Sequence, residues 1–156
     1  MRLNKAWTTH IPMLLRYVQK ADKPVLELGA GLFSTPLLHW ICKDQGVKLV
    51  TYENVEEFFR FSKSFQSRGH RIRLISDWDK VEDNDTFWSV VFIDHAPAER
   101  RYIDAMRFAN KADYVILHDS NKDVYKYDEV YPHFKYRYDW KECRPWTTVL
   151  SNFKEL

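Results

Sequence analysis

Val25–Pro36 reads VLELGAGLFSTP. A short apolar run, VLEL, leads into two glycines one residue apart, Gly29 and Gly31, and then into Ser34, Thr35 and Pro36. An apolar run of this length bounded by a turn signal reads as a buried strand. Ser34 or Thr35 suits a helix cap and Pro36 its first turn. The stretch therefore predicts strand, tight turn and helix, the opening half of a βαβ unit. Glycine at 29 and 31 lets the backbone turn sharply and approach a ligand closely. The free amides of the next helix point to the same place and suit a phosphate or a carboxylate. Taken alone, the turn has a plainer reading, in which glycine only packs helix on strand.

The same alternation continues outward from this unit. Upstream, Ile11, Leu14, Leu15 and Val18 recur at helical spacing, with Thr8 or Thr9 as cap and Pro12 in the first turn. Downstream, 47–53 (VKLVTYE) predicts a second strand. Val55, Phe58, Phe59, Ser62 and Phe65 then predict a helix ended by Gly69. Strands follow at 70–75, 88–94 and 113–118, with a helix over 102–109 between the last two. Strand and helix in alternation make a parallel sheet covered on both faces. The end of the chain differs: 134–140 alternates aromatic and charged residues, ECRP makes a turn, and 146–153 is apolar, which predicts an antiparallel hairpin. Residues 120–132 read as a short helix or a loop.

With 156 residues, one domain over 1–156 is expected. The net charge of +2 favours neither nucleic acid nor a membrane. The basic run Arg60, Lys63, Arg68, His70, Arg71, Arg73 reads first as a solvated rim. Cys42 and Cys143 have no metal-type spacing and form no disulfide framework, which fits a reduced, cytoplasmic compartment. The N-terminal stretch shows no signal-peptide core and no run approaches a membrane span.

In open parallel sheets ligands bind beyond the carboxyl ends of the strands. Glu27, Gly29, Glu53, Asp77, Asp94, His118 and Asp119 all fall at or just past such ends. An acid about twenty residues beyond a glycine turn can accept hydrogen bonds from both ribose hydroxyls, which makes Glu53 the mark of an adenosine-containing cofactor. A dinucleotide site calls for a third glycine at position 34, where this chain has Ser34, and Glu27 is a poor neighbour for a diphosphate. An acid there suits the ammonium of an amino-acid cofactor, directly or through water.

ELGAG followed by ST, YEN, SDWD, FIDHA and ILHDS, then a terminal hairpin, resembles the class I S-adenosylmethionine-dependent methyltransferases over nearly the whole chain. The resemblance implies a three-layer Rossmann-like α/β fold, with a mostly parallel seven-stranded sheet in the order 3-2-1-4-5-7-6. It implies S-adenosylmethionine as cofactor. Gly29, Ala30 and Gly31 would lie on the methionyl part, Glu53 on the ribose, Asp77 and Trp78 near the adenine, and Asp94 at the methyl end. Phe33 stands where the family commonly has glycine.

Asp94–His95 also resembles the strand-four motif of the catechol-type O-methyltransferases. In those enzymes this acid and an Asp–Asn pair after strand five bind a divalent cation. Asp94 and Asp119 match, Ser120 replaces the asparagine, and Pro97 occupies the lysine base position. Those departures argue against a metal-dependent mechanism, so no metal is expected, with Asp94 and Asp119 as the ligands if one binds. Asp94, His95, His118 and Asp119 are the candidate catalytic groups. The acceptor expected is a small molecule methylated at oxygen or nitrogen, without nucleic acid or membrane, and a homodimer stays open. Two alternatives remain: a methyltransferase-like module that binds cofactor without transfer, and a nicotinamide-dependent reductase.

Overall fold

The computed structural model describes residues 4–81 and 85–156; residues 1–3, part of the N-terminal stretch read for a signal peptide, lie outside the described residues. VLEL becomes β1 (Val25–Leu28), buried at every position because it has a strand on each side and helices on both faces. It runs parallel to β2 (Leu49–Glu53) on one side and β4 (Trp88–Ile93) on the other. Beyond β2 lies β3 (His70–Leu74), and beyond β4 lies β5 (Ala112–His118), all parallel. The hairpin β6 (Tyr136–Trp140) and β7 (Thr147–Ser151) joins antiparallel through β7 on β5. The sheet order is β3-β2-β1-β4-β5-β7-β6, as the sequence predicts.

Alternate residues of the central strands feed two cores. Val90, Phe92 and Ile116 pack with Leu14, Val18 and Leu38 from α1 (Ile11–Val18) and α2 (Ser34–Gln45). Val91, Ile93 and Val115 pack on the other face with Ala105 and Phe108 from α4 (Arg101–Phe108). Each of these large side chains contributes about 1.5–3 kcal/mol through burial. The predicted α1 stripe shifts by one position: Met13 and Tyr17 are buried beside Leu14 and Val18, while Leu15 is 42% exposed.

Three local expectations differ. Thr8 and Thr9 do not cap α1; His10 precedes it without a side-chain cap, and the Thr9 hydroxyl lies 3.0 Å from His118 Nε2. Helix α3 spans only Glu56–Ser62 and passes into a 3-10 turn at Lys63–Phe65, short of Gly69. There Ser62 and Ser64 donate back to the carbonyls of Phe59 and Phe61, a local competition that weakens helix propagation. Residues 120–132 are neither one helix nor a plain loop. They form three 3-10 turns that bury Tyr125, Tyr127 and Val130.

Glu27 belongs to the fold's interior. It is wholly buried, and its carboxylate accepts from the hydroxyls of Thr35 (3.0 and 3.1 Å) and Thr51 (2.7 Å). Thr51 gives its one proton to Glu27, so it accepts from His70 Nε2 at 2.8 Å. His70 Nδ1 is then bare and accepts from His39 Nδ1 at 3.1 Å. Burial with only hydroxyl partners pushes the Glu27 carboxyl up to about 7.

The sign follows by linkage. Between an unfolded value of 4.5 and a folded value of about 7, the native state holds the extra proton, so stability falls as pH rises through that window and levels off above it. The Glu27 contribution is a loss of about 3 kcal/mol by pH 8. Urea unfolding between pH 5 and 8 is expected to show this decline. Glu27→Gln is expected to remove it and to be the more stable protein at pH 8. An unchanged slope in the variant would locate the titration elsewhere.

Candidate active site

A cavity of about 420 Å³ opens at the carboxyl ends of β1, β2, β4 and β5. That volume lies in the range of small-ligand sites, about 300–1,000 Å³. The N-terminal 3-10 turn Lys5–Thr8 and the residues beside it bring Trp7 and His10 onto one side. Gly31, Glu53, Asp94, His118 and Asp119, from four separate strand ends, meet in it.

The glycine turn is held by backbone contact and by one carboxylate. Gly29 has φ +96°, and a Cβ there would lie 2.6 Å from the His95 amide nitrogen and 2.7 Å from the Asp94 carbonyl carbon. No side chain can be accommodated, because both neighbours are main chain. The Gly29 amide donates to Tyr52 O (2.9 Å), and the Asp94 amide to Leu28 O (2.8 Å), which extends the sheet ladder into the loops. Glu53 then crosses from β2. One oxygen accepts from Ala30 N (2.6 Å) and the other from Asn54 N and Val55 N (both 2.7 Å). Burial raises its pKa against the pull of those three amides. The oxygen facing Ala30 keeps a lone pair for a further donor, while the other uses both of its own on Asn54 and Val55. Val55 and Phe58 line the cavity next to it and supply an apolar wall.

The other end of the cavity is charged. Arg101 begins α4 but turns inward. It donates to His95 O (2.6 Å) and Asp94 O (2.9 Å), and its Nη1 lies 2.9 Å from Asp94 Oδ1 and 3.4 Å from Asp119 Oδ2. Its guanidinium sits over the Tyr125 ring, 4.5 Å from the centroid. Burial opposes ionisation of Asp94, yet His118 and Arg101 hold its pKa down to about 2. Asp119 adopts φ +59°, a left-handed conformation that aspartate tolerates. Lys122 (2.7 Å), the Tyr125 hydroxyl (2.9 Å) and Arg101 keep it there. His118 Nδ1 is 3.1 Å from Asp94 Oδ1 but off the line of a hydrogen bond. His10 packs edge-on against His118 with centroids 4.8 Å apart, and both of its ring nitrogens are buried without a partner. Burial and the neighbouring His118 push its pKa down to about 4.

Of the predicted cofactor residues, Ala30, Gly31, Glu53 and Asp94 line the cavity, and Gly29 shapes it from behind. Glu27 is placed beneath the loop, away from any ligand ammonium, because Thr35 and Thr51 draw its carboxylate inward. Asp77 does not line the cavity; its carboxylate accepts from Asp79 N and caps a 3-10 turn. Trp78 is buried, stacks on His95 at 4.0 Å and donates to Ala96 O. His95, predicted as catalytic, turns its ring away, with Nε2 3.0 Å from Asp104 Oδ2 and no side-chain exposure. Leu32 rather than Phe33 lines the cavity. The catechol-type metal position between Asp94 and Asp119 does not fit a cation, since Arg101 already bridges the two acids and Ser120 pairs with the Thr148 hydroxyl, whose own proton goes to Asp139. Arg100 and Arg101 at the helix start read equally as a contact for an acidic substrate or as a solvated helix face; that Arg101 folds back onto the two strand-end acids is not legible in the sequence.

No protein-family profile matches the chain, and no curated protein sequence matches it. Solved structures do. The SAH-bound methyltransferase PaMTH1 of Podospora anserina superposes with a TM-score of 0.73 at 9% identity, over 99% of this chain and 80% of that one. The N-terminal domain of human METTL16 in complex with SAH superposes at 0.67 and 11% identity, over 99% and 73%. The human METTL16 catalytic domain in complex with the MAT2A 3'UTR hairpin superposes at 0.66 and 8% identity, over 99% and 72%. This last structure corrects the expectation of a small-molecule partner with nucleic acid set aside. A domain of this architecture is found with an RNA hairpin, so the fold is no argument against nucleic acid. The chain has the class I Rossmann-like methyltransferase fold.

Proposed function

We propose that this chain transfers a methyl group from S-adenosylmethionine to a nitrogen or oxygen of a nucleic acid. The observation that carries the cofactor reading is the meeting of the Ala30–Gly31 backbone, the Glu53 carboxylate and Asp94 around one cavity. Glu53 takes a ribose hydroxyl through the lone pair left on the oxygen that faces Ala30, Val55 and Phe58 cover the adenine, and the glycine turn lets the methionyl group lie against main chain. Asp94 sets a negative charge beside the sulfonium. The SAH-bound neighbours of the same fold support this placement. The RNA-bound neighbour supports the acceptor class, and Trp7 and Lys122 at the cavity supply a ring for a base and a cation for a phosphate.

The chemistry asks little of the protein. The acceptor lone pair attacks the methyl carbon, the carbon–sulfur bond breaks with its electrons staying on sulfur, and the acceptor proton leaves within the cluster of Asp94, His118 and Asp119. A second reading, a module that binds the cofactor without transfer, draws on Arg101, which already neutralises both acids.

Two measurements test these statements. Calorimetry is expected to show binding of both S-adenosylmethionine and its demethylated product. Glu53→Ala is expected to weaken that binding by on the order of 1.5–3 kcal/mol; unchanged affinity would remove the ribose assignment. Incubation with methyl-labelled cofactor and a total RNA pool is expected to label RNA. Cofactor binding with no label in RNA or DNA would overturn the acceptor class, and no label in any acceptor tried would favour the module.

A further inference from the structure

Two buried histidine rings each bring a nitrogen close to one carboxylate in the cavity. His10 Nδ1 and Nε2 and His118 Nδ1 all lack a hydrogen-bond partner, and His10 is 2% exposed. A buried polar atom left unpaired costs about 1–3 kcal/mol, so three at one place need a reason. One ligand atom from each of His10, His118 and Asp94 lies within 4.8 Å of the others. We propose that His10, His118 and Asp94 form a binding site for a divalent transition-metal ion of the zinc type, with its remaining positions open to the cavity.

The donor chemistry fits that class, since two imidazoles and one carboxylate with an open position suit zinc, cobalt or iron(II) rather than magnesium or calcium. The spacing fits as well. His118 Nδ1 and Asp94 Oδ1 are 3.1 Å apart, and two ligands at about 2.1 Å from one ion span that distance at an angle of about 95°. The second ring nitrogen of His118 faces the Thr9 hydroxyl at 3.0 Å, and that hydroxyl also reaches Ala6 O at 3.4 Å. With Nε2–H donating to Thr9, Nδ1 keeps a bare lone pair toward Asp94. Such an outer hydrogen bond is what fixes a ligating histidine. Arg101 Nη1 lies 2.9 Å from the same oxygen, Asp94 Oδ1, and leaves it a lone pair for the ion, while Asp119 balances the guanidinium charge. The set differs from the catechol-type pair, because Asp119 faces Arg101, Lys122 and Tyr125 and takes no part.

The site does not depend on methyl transfer, though an ion there would bind an acceptor oxygen or nitrogen directly and favour its deprotonated form. The test uses the full chain after dialysis against a chelator, without cofactor. Titration with Co2+ is expected to give one equivalent with visible ligand-field absorption, displaced by Zn2+. His10→Ala and His118→Ala are each expected to weaken binding about 100-fold or more, and His133→Ala, at an exposed position, to leave it unchanged. Should either alanine variant fail to fold by circular dichroism, His10→Gln and Thr9→Val carry the same test, the second with a loss of about 10-fold through the released His118 ring. No binding of either metal, or equal affinity in wild type and folded His10 and His118 variants, would overturn the site. Neither result would bear on the calorimetry with S-adenosylmethionine, so the two readings fail separately.

Discussion

The contact between Gly29 and the backbone at the end of β4 sets the distance between the two halves of the cavity. A Cβ at position 29 would fall within 2.7 Å of main-chain atoms of Asp94 and His95, so the turn can close only because that atom is missing. Closure brings Ala30 N within reach of Glu53, and Glu53 in turn collects the amides of its own strand end. Loop, carboxylate and β4 end thus form one rigid body. A ligand meets a shape that already exists, which lowers the ordering cost of binding.

Arg101 does for the other end of the cavity what Gly29 does for the first. Asp94 and Asp119 face each other across the ends of β4 and β5, and without a cation between them one would have to hold a proton. A guanidinium suits that place better than an ammonium, because its fork reaches two backbone carbonyls and two carboxylates at once. The arrangement gives the strand ends a fixed charge, with His118 Nδ1 beside the same Asp94 oxygen that Arg101 contacts.

The sheet was legible in the sequence because each strand ends on a polar signal and each crossover helix repeats at its own period. The order of the strands, including the terminal hairpin, came from the resemblance that ELGAG, YEN and FIDHA carry together. Side-chain direction was not legible. Asp77, Trp78 and His95 stand at strand ends as expected, yet Trp78 and His95 stack on each other and His95 turns to Asp104 on α4. That partner lies nine residues on and shows no pattern in the sequence. Glu27 stands in the strand beside the turn, but its direction depends on Thr35 and Thr51, two residues from different elements. His10 reaches the site only because the N-terminal turn folds across the strand ends.

The buried chain His39–His70–Thr51–Glu27–Thr35 runs beneath the glycine turn and ends at Gly31, whose amide donates to the Thr35 hydroxyl at 3.1 Å. Thr35 gives its one proton to Glu27, which fixes the hydroxyl's rotation and turns a lone pair toward the Gly31 amide. The loop that faces the ligand is in this way tied to a carboxyl that no ligand touches. That explains how an acid can be useful in a strand end and still be wholly buried: it orients a hydroxyl, and the hydroxyl orients the turn. The cost is a carboxyl that resists ionisation, and the fold tolerates it because a protonated Glu27 still accepts through its carbonyl oxygen.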